Sequence, residues 1–249
     1  MKIIPLSEGA FTIDKTKQFI PFNKAADDLQ QRSTGSLLVE IQPFCIVTNN
    51  DIIIIDTGLG FNNADGILQI HQNLLNKGIN PMEVTKVLLS HLHKDHAGGI
   101  CKEDKILRQK FFNFPNAVHY VNKDELGLAL GKENASYKPA EFDILANSDK
   151  VIFTQGDGII DNYISYEVTG AHSPFHQVFY IEDAGKKIFF GGDVAPQLQQ
   201  MKSRFVAKYD FDGKKSMELR QQWWQRGKEE NWTFLFYHDI KTPIFKFEG

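Results

Sequence analysis

Cysteine is scarce in this chain: Cys45 and Cys101 are its only two among 249 residues. That excludes a disulfide-stapled scaffold. A basic surplus is also missing, since 28 Lys and Arg stand against 31 Asp and Glu. Nucleic-acid binding relies on clustered positive charge, so that partner class is excluded. No apolar run approaches the about 20 residues that a membrane-spanning helix needs. Pro5, Glu8 and Asp14 interrupt what would have to be the apolar core of a secretory signal, so a cytoplasmic location is expected. Internal repeats, low-complexity tracts and a Gly-, Pro- or Ser-rich linker are absent as well, and one domain over residues 1–249 is expected.

What the chain does have is apolar material for a sizeable core, 42% hydrophobic residues with 20 Phe. The aromatic content also allows a homodimer face. Residues 3–13 alternate as a strand, and 15–35 read as a long polar loop or lid. Leu37–Val47 and Asp51–Ile55 read as a hairpin turning at Asn49 and Asn50. The pattern then predicts a helix over 64–77 that stops at Gly78, a strand over Val84–Leu89 and a helix over 97–110. A strand over Ala117–Val121 and a helix over Lys123–Leu130 follow. The second half repeats the theme, with strands at 151–154, 163–168, 176–182 and 187–191, a helix over 212–229 and a strand over Phe234–Tyr237. Segregated strands and helices in both halves suggest a layered α/β body with two sheets packed inside helices.

Eight histidines are the chemically loaded part of the composition. Three fall within His91-Leu92-His93-Lys94-Asp95-His96, directly after a buried strand. In an extended segment His91 and His93 point to the same side. Imidazole nitrogens with a carboxylate oxygen are donors for zinc or iron. A run that dense at a strand exit outweighs the alternative of a loop that is polar by accident. His172, Asp193 and His238 also follow predicted strands, where ligands gather in α/β sheets. His71 falls in a predicted helix and His119 in a strand, and both read as structural.

With these residues in this order, the chain resembles the metallo-β-lactamase superfamily of metal-dependent hydrolases. The motif His-x-His-x-Asp-His after a strand carries the resemblance, along with the Asp56-Thr57-Gly58 turn and the later His172, Asp193 and His238. The resemblance implies a four-layered αββα sandwich and two divalent metal ions, zinc before iron or manganese. It assigns His91, His93 and His172 to the first ion and Asp95, His96 and His238 to the second, with Asp193 bridging. Asp56 and His176 stand behind the ligands and orient them. The site keeps a residual positive charge, suited to an anionic tetrahedral or phosphoryl group.

By length and pattern the group that holds N-acyl homoserine lactonases and organophosphate hydrolases fits best. The implied reaction is attack of a metal-bridging hydroxide on an ester or lactone carbonyl of a small molecule, with Asp95 and Asp193 as the catalytic carboxylates. A phosphodiester or phosphotriester substrate and a non-catalytic metal-binding protein are the alternatives. Two positions depart from the lactonase pattern. Pro196 stands where those enzymes carry a Tyr, and Phe175 where they carry a small Gly before the second His. Tyr163, Tyr209 and Tyr237 are the candidates to supply a phenol instead.

Overall fold

The fold is that of a computed structural model, which describes residues 1–247. The first half enters through β1 (Lys2–Pro5), β2 (Gly9–Ile13), β3 (Phe19–Phe22), β4 (Leu37–Ile41), β5 (Phe44–Val47) and β6 (Ile52–Ile55). Helix α1 (Gln69–Leu75), β7 (Lys86–Leu88) and the one-turn helix α2 (Lys94–Ala97) follow. The half closes with β8 (Cys101–Asp104), β9 (Gln109–Phe112), β10 (Val118–Asn122), α3 (Lys123–Leu130) and β11 (Val151–Thr154). The second half holds β12 (Gly158–Ile160), β13 (Ile164–Val168), β14 (Gln177–Asp183), β15 (Lys186–Phe190), α4 (Leu198–Met201), α5 (Gly213–Glu229), β16 (Thr233–Leu235) and β17 (Ile244–Lys246).

Two six-stranded sheets, ordered β1-β5-β6-β7-β10-β11 and β12-β13-β14-β15-β16-β17, form the middle of the molecule. Their facing sides share one apolar core. Phe44, Ile46, Ile53, Ile55 and Leu88 meet Ile164, Phe179, Ile181, Phe190 and Leu235 there, all buried. Each such side chain contributes roughly 1.5–3 kcal/mol on burial. The period-2 alternation of the strands sends the opposite residues outward. Cys45, Ile54, Val87 and Val121 pack under Ile70 and Leu74 of α1 and Leu126 and Ala129 of α3. On the far side Val178, Tyr180, Phe189 and Phe234 pack under Met201 of α4 and Trp223 of α5. The four layers expected from the sequence are therefore present. No helix among the described residues is long and apolar enough to cross a membrane.

Several local expectations are corrected. Residues 97–110 do not form a helix: they end α2 and then make the β8–β9 hairpin. Asp104 Oδ1 accepts from the Ile106 and Leu107 amides at 2.9 Å each, a local turn that competes with helix. Ile106 is 93% exposed, so the apolar spacing there never served a core face. Leu37–Val47 is two strands in two sheets, because Pro43 has no N–H to continue a ladder. Residues 3–13 divide likewise, β1 pairing with β5 and β2 with β4. The polar stretch 15–35 contains β3, which completes the small sheet β3-β2-β4. Helix 64–77 shortens to α1, since Asn63 Oδ1 takes the Asp65 and Ile67 amides into a turn.

Candidate metal centre

Five strand exits converge on one edge of the sandwich. β6 and β7 run parallel, and so do β15 and β16. β13 and β15 both run antiparallel to β14, so they are parallel to each other. The segments that leave these strands carry Asp56, His91–His96, His172, Asp193 and His238. The sheets are tied together beside them: Gln177 donates its amide to Ser90 O at 2.9 Å and its side chain to Leu89 O at 2.8 Å.

Two groups of donors result, His91, His93, His172 and Asp193 in one, and Asp95, His96 and His238 in the other. Within each group, one ligand atom per residue lies within 4.8 Å of all the others. In the first group His91 Nε2 and His172 Nε2 stand 3.0 and 3.2 Å from His93 Nδ1. Asp193 turns one oxygen to each group. Its Oδ2 lies 3.2 Å from His172 Nε2, and its Oδ1 lies 3.0 Å from both His96 Nε2 and His238 Nε2. Asp95 Oδ2 lies 3.8 and 3.6 Å from the same two nitrogens. Tetrahedral ligands at about 2.0–2.1 Å from zinc are separated by about 3.3 Å, so this spacing suits shared cations. Buried atoms without partners say the same. His96 Nε2 and Asp193 Oδ1 are close, yet neither finds an aligned hydrogen bond. They aim at a common point rather than at each other. The donor set is thus compatible with a binuclear centre.

Four of the five imidazoles in these groups, all but His93, are held from behind, which fixes the nitrogen turned inward. His96 Nδ1 bonds Asp56 Oδ2 at 2.7 Å, and His238 Nδ1 bonds the Glu40 carbonyl at 2.8 Å. His172 Nδ1 bonds Asp210 Oδ1 at 2.8 Å, and His91 Nδ1 meets Ser90 Oγ at 3.1 Å. Asp56 sits in the left-handed region at φ 56°, which Asp tolerates better than most residues. It also accepts from the Ser90 amide and hydroxyl, at 2.7 Å each. Gly58 follows at φ +75°, and a Cβ there would stand 2.4 Å from buried Glu8. His176 Nε2 accepts from the Asp193 amide at 3.2 Å, next to Gly192 at φ +48°, whose Cβ would collide with the same nitrogen. His176 thus holds the Asp193 turn from behind and belongs to neither donor group.

Charge follows the geometry. Burial holds His91, His93 and His176 well below the usual imidazole range, which favours their neutral forms, and for His91 and His93 that is the form a metal ligand takes. Burial also opposes a charged His96 and His238, but Asp193 and Asp95 overcome it and raise both. Burial works against the Asp193 charge too, and His238, His96 and His172 more than offset it, keeping the carboxylate ionised.

Of four neighbours, Asp210, Glu125 and Tyr137 carry no signal in the sequence, while Tyr237 is one of the candidate phenols. Asp210 reaches His172 from 38 residues away. Glu125, buried on α3, accepts from the Leu92 amide at 3.2 Å, Tyr137 OH at 3.1 Å and Ser173 Oγ at 3.0 Å, so it joins the loop of His91–His96 to the loop of His172. Tyr137 also lays its ring edge against His93, with centroids 4.7 Å apart. Tyr237 stacks on His96 at 4.0 Å and donates to Asp95 O at 2.6 Å. Of the candidate phenols for the one missing at Pro196, Tyr163 lies elsewhere and bonds Asp51. Tyr209, 37% exposed, stands at the rim with its ring 6.2 Å from that of His172. Cys101 donates its thiol to Glu141 O and is in neither group, and His71 and His119 lie outside them as well.

A family model described as the metallo-beta-lactamase superfamily matches residues 41–223. An atrochrysone carboxyl ACP thioesterase from Passalora fulva is 28% identical over 151 residues, 60% of this chain and 36% of that protein. The N-acyl homoserine lactonase AttM from Azorhizobium caulinodans is 30% identical over 115 residues, 42% of this chain and 38% of that one. The aligned stretches thus span little more than a third of these curated relatives. Among solved structures, a probable metal-dependent hydrolase from Staphylococcus aureus superposes with a TM-score of 0.79 at 23% identity, covering 98% of this chain and 91% of that one.

Proposed function

We propose that this chain, which belongs to the metallo-beta-lactamase superfamily, acts as a single domain that hydrolyses a lactone or carboxylic ester of a small molecule at a centre of two divalent ions, zinc before iron or manganese. The observation that carries the reading is Asp193, whose two oxygens face two separate donor groups. His91, His93 and His172 would hold one ion, Asp95, His96 and His238 the other, and Asp193 both. When bound, such ions act as Lewis acids on a carbonyl oxygen and lower the pKa of water enough to provide a nucleophile near neutral pH.

The remaining work falls to the chain. Asp193 and Asp95 neutralise only part of the metal charge, which leaves the site attractive to an oxyanion. The Asp95 carboxylate can also take the proton released by an attacking water. Its position is fixed through its own backbone, since Tyr237 OH holds Asp95 O. Asp56 and Asp210 hold His96 and His172 by their outer nitrogens, so the inward nitrogens present lone pairs. Tyr209, at the rim beside His172, would be the phenol to contact the substrate carbonyl. The two curated relatives are a thioesterase and a lactonase by name, and a thioester and a lactone are both carbonyl substrates, which supports a carbonyl substrate over a phosphoryl one.

The test is turnover by the zinc-, iron- and manganese-loaded protein on acyl lactones, aryl esters, acyl thioesters, phosphotriesters and phosphodiesters. Carbonyl substrates should exceed phosphoryl ones by at least about tenfold in kcat/KM, a 1.4 kcal/mol preference. The reverse order would replace the ester reading with the phosphoesterase one. Fewer than two ions per chain by elemental analysis would remove the binuclear assignment.

A further inference from the structure

Arg220 is fully buried in the middle of α5, and among the described residues no carboxylate lies within salt-bridge distance of it. A buried guanidinium is unfavourable unless its donors are used. Helix α5 already has packing side chains in Met217 and Trp223, so docking the helix does not require a cation at this position. What the guanidinium does is fork. Nη1 donates to Val194 O at 2.7 Å, and Nη2 donates to Phe205 O.

Both carbonyls belong to segments that carry site residues. Val194 immediately follows Asp193 in the turn after β15. Phe205 begins the segment that ends in Asp210, the partner of His172 Nδ1. The same segment is bonded to the His172 loop through Phe211 N to His172 O at 3.1 Å and Asp212 N to Ala171 O at 2.7 Å. Asp212 then caps α5 by accepting from the Lys215 amide at 2.9 Å. Arg220 therefore stands between the two strand exits whose side chains meet as Asp193 Oδ2 and His172 Nε2, 3.2 Å apart. Asp210 and Tyr209 are the charged and titratable groups that face it.

We infer that Arg220 is a positioning residue of the metal centre: its fork fixes the Asp193 turn against the Asp210 segment and so sets the spacing of Asp193 and His172 around their shared ion. The inference rests on the metal-binding reading of the site. Lysine does not substitute, because a single ammonium cannot reproduce a planar fork with two separated donors.

The experiment compares wild type, Arg220→Lys, Arg220→Met and the packing control Met217→Ala. Met217 is buried on the same helix and makes no hydrogen bond to either loop. Metal affinity is measured by competition with a chromophoric chelator, and the cobalt(II)-loaded absorption spectrum reports geometry at the ion. Both Arg220 variants should keep the far-UV circular dichroism of wild type. Their affinity should fall about 10–100-fold, the usual cost of losing a group that holds a ligand, with altered cobalt bands and a loss in kcat larger than any change in KM. Met217→Ala should lower Tm and leave affinity and spectrum unchanged. Wild-type affinity and cobalt bands in Arg220→Lys overturn the inference, as does an affinity loss in Met217→Ala that parallels its fall in Tm. Should Arg220→Met not fold, Arg220→Lys alone decides. A wild-type chain that takes up no metal in the same titration overturns the reading of the site itself.

Discussion

The two ends of the sandwich both bury charge, and they do it differently. Where β6 and β7 begin, Asp51 accepts from Lys86 Nζ at 2.5 Å, Thr85 Oγ1 at 2.7 Å and Tyr163 OH. Lys86 also meets Asp161 at 3.0 Å. Every charge in that cluster has a partner, and the cluster ties the first sheet to the loop before β13. Where the same two strands end, Asp56 and the loop from Ser90 lead into the donor groups. There His96 Nε2 and Asp193 Oδ1 are buried and left unbonded. A closed set of polar contacts stabilises; an open set, with four of its five imidazoles braced from behind, is arranged to receive something.

The largest effect should come from removing the residue that spans the open end. Asp193→Ala takes a donor from both groups. Metal-based stabilisation is worth several kcal/mol, so kcat should drop at least about 10³-fold, with bound metal falling from two ions by elemental analysis. Retention of both ions would show that Asp193 does not bridge. At the closed end the expectation inverts. Asp51→Ala takes from Lys86 the nearer of its two carboxylate partners and should cost about 3 kcal/mol of stability, read by urea denaturation, while kcat/KM per folded molecule stays at the wild-type value. Lys86 keeps Asp161 as a second partner, so the cost stays at the lower end for a broken buried pair. A loss of kcat/KM with unchanged stability would erase the distinction between the ends.

A smaller effect should follow from weakening one brace of the open end. Asp56→Asn keeps the shape and tolerates the left-handed backbone, but it no longer offers His96 Nδ1 a charged acceptor. Metal affinity should fall about 10–100-fold in a chelator competition, with Tm of the metal-free protein nearly unchanged. Equal losses in Tm and affinity would make Asp56 a structural residue like Asp51.

How far the sequence reached follows the same division between local and distant information. The run His91–His96 was legible because it is compact and follows an apolar strand, and the later histidines and Asp193 because each follows another. Two sheets packed inside helices were legible from alternating strands and amphipathic helices, and the four-layered αββα order from the family resemblance. Asp210, Glu125 and Arg220 were not, since each acts on a loop brought to it only by the fold, and none shows a period or a motif. Residues 97–110 misled for the same reason, a distant contact. Gly98 and Gly99 read as a helix start, but they let the chain approach Leu59 O and Thr57 O, where a Cβ would lie 2.4 and 2.1 Å away.

His119 tests whether unpartnered buried nitrogens alone make a site. Its ring lies against Phe112 at 4.1 Å, and both of its nitrogens lack partners, yet it belongs to neither donor group. An open atom therefore matters only where others converge on the same point; in isolation it is a liability to the fold. Burial pushes the His119 imidazole down to about 4. The unfolded chain takes up that proton near the ordinary value of 6.5, so between 6.5 and 4 the unfolded state binds more protons. The stability His119 leaves intact above pH 6.5 is then lost as pH falls, by about 1–2 kcal/mol between pH 7 and pH 5. His119→Phe keeps the stack and has nothing to protonate. Its urea-denaturation stability should exceed that of wild type by that amount more at pH 5 than at pH 7. The site histidines titrate alike in both proteins, so their contribution cancels in the difference. Parallel stability curves for the two proteins would mean that His119 is already paired or hydrated in the fold, and that its two nitrogens are not open at all.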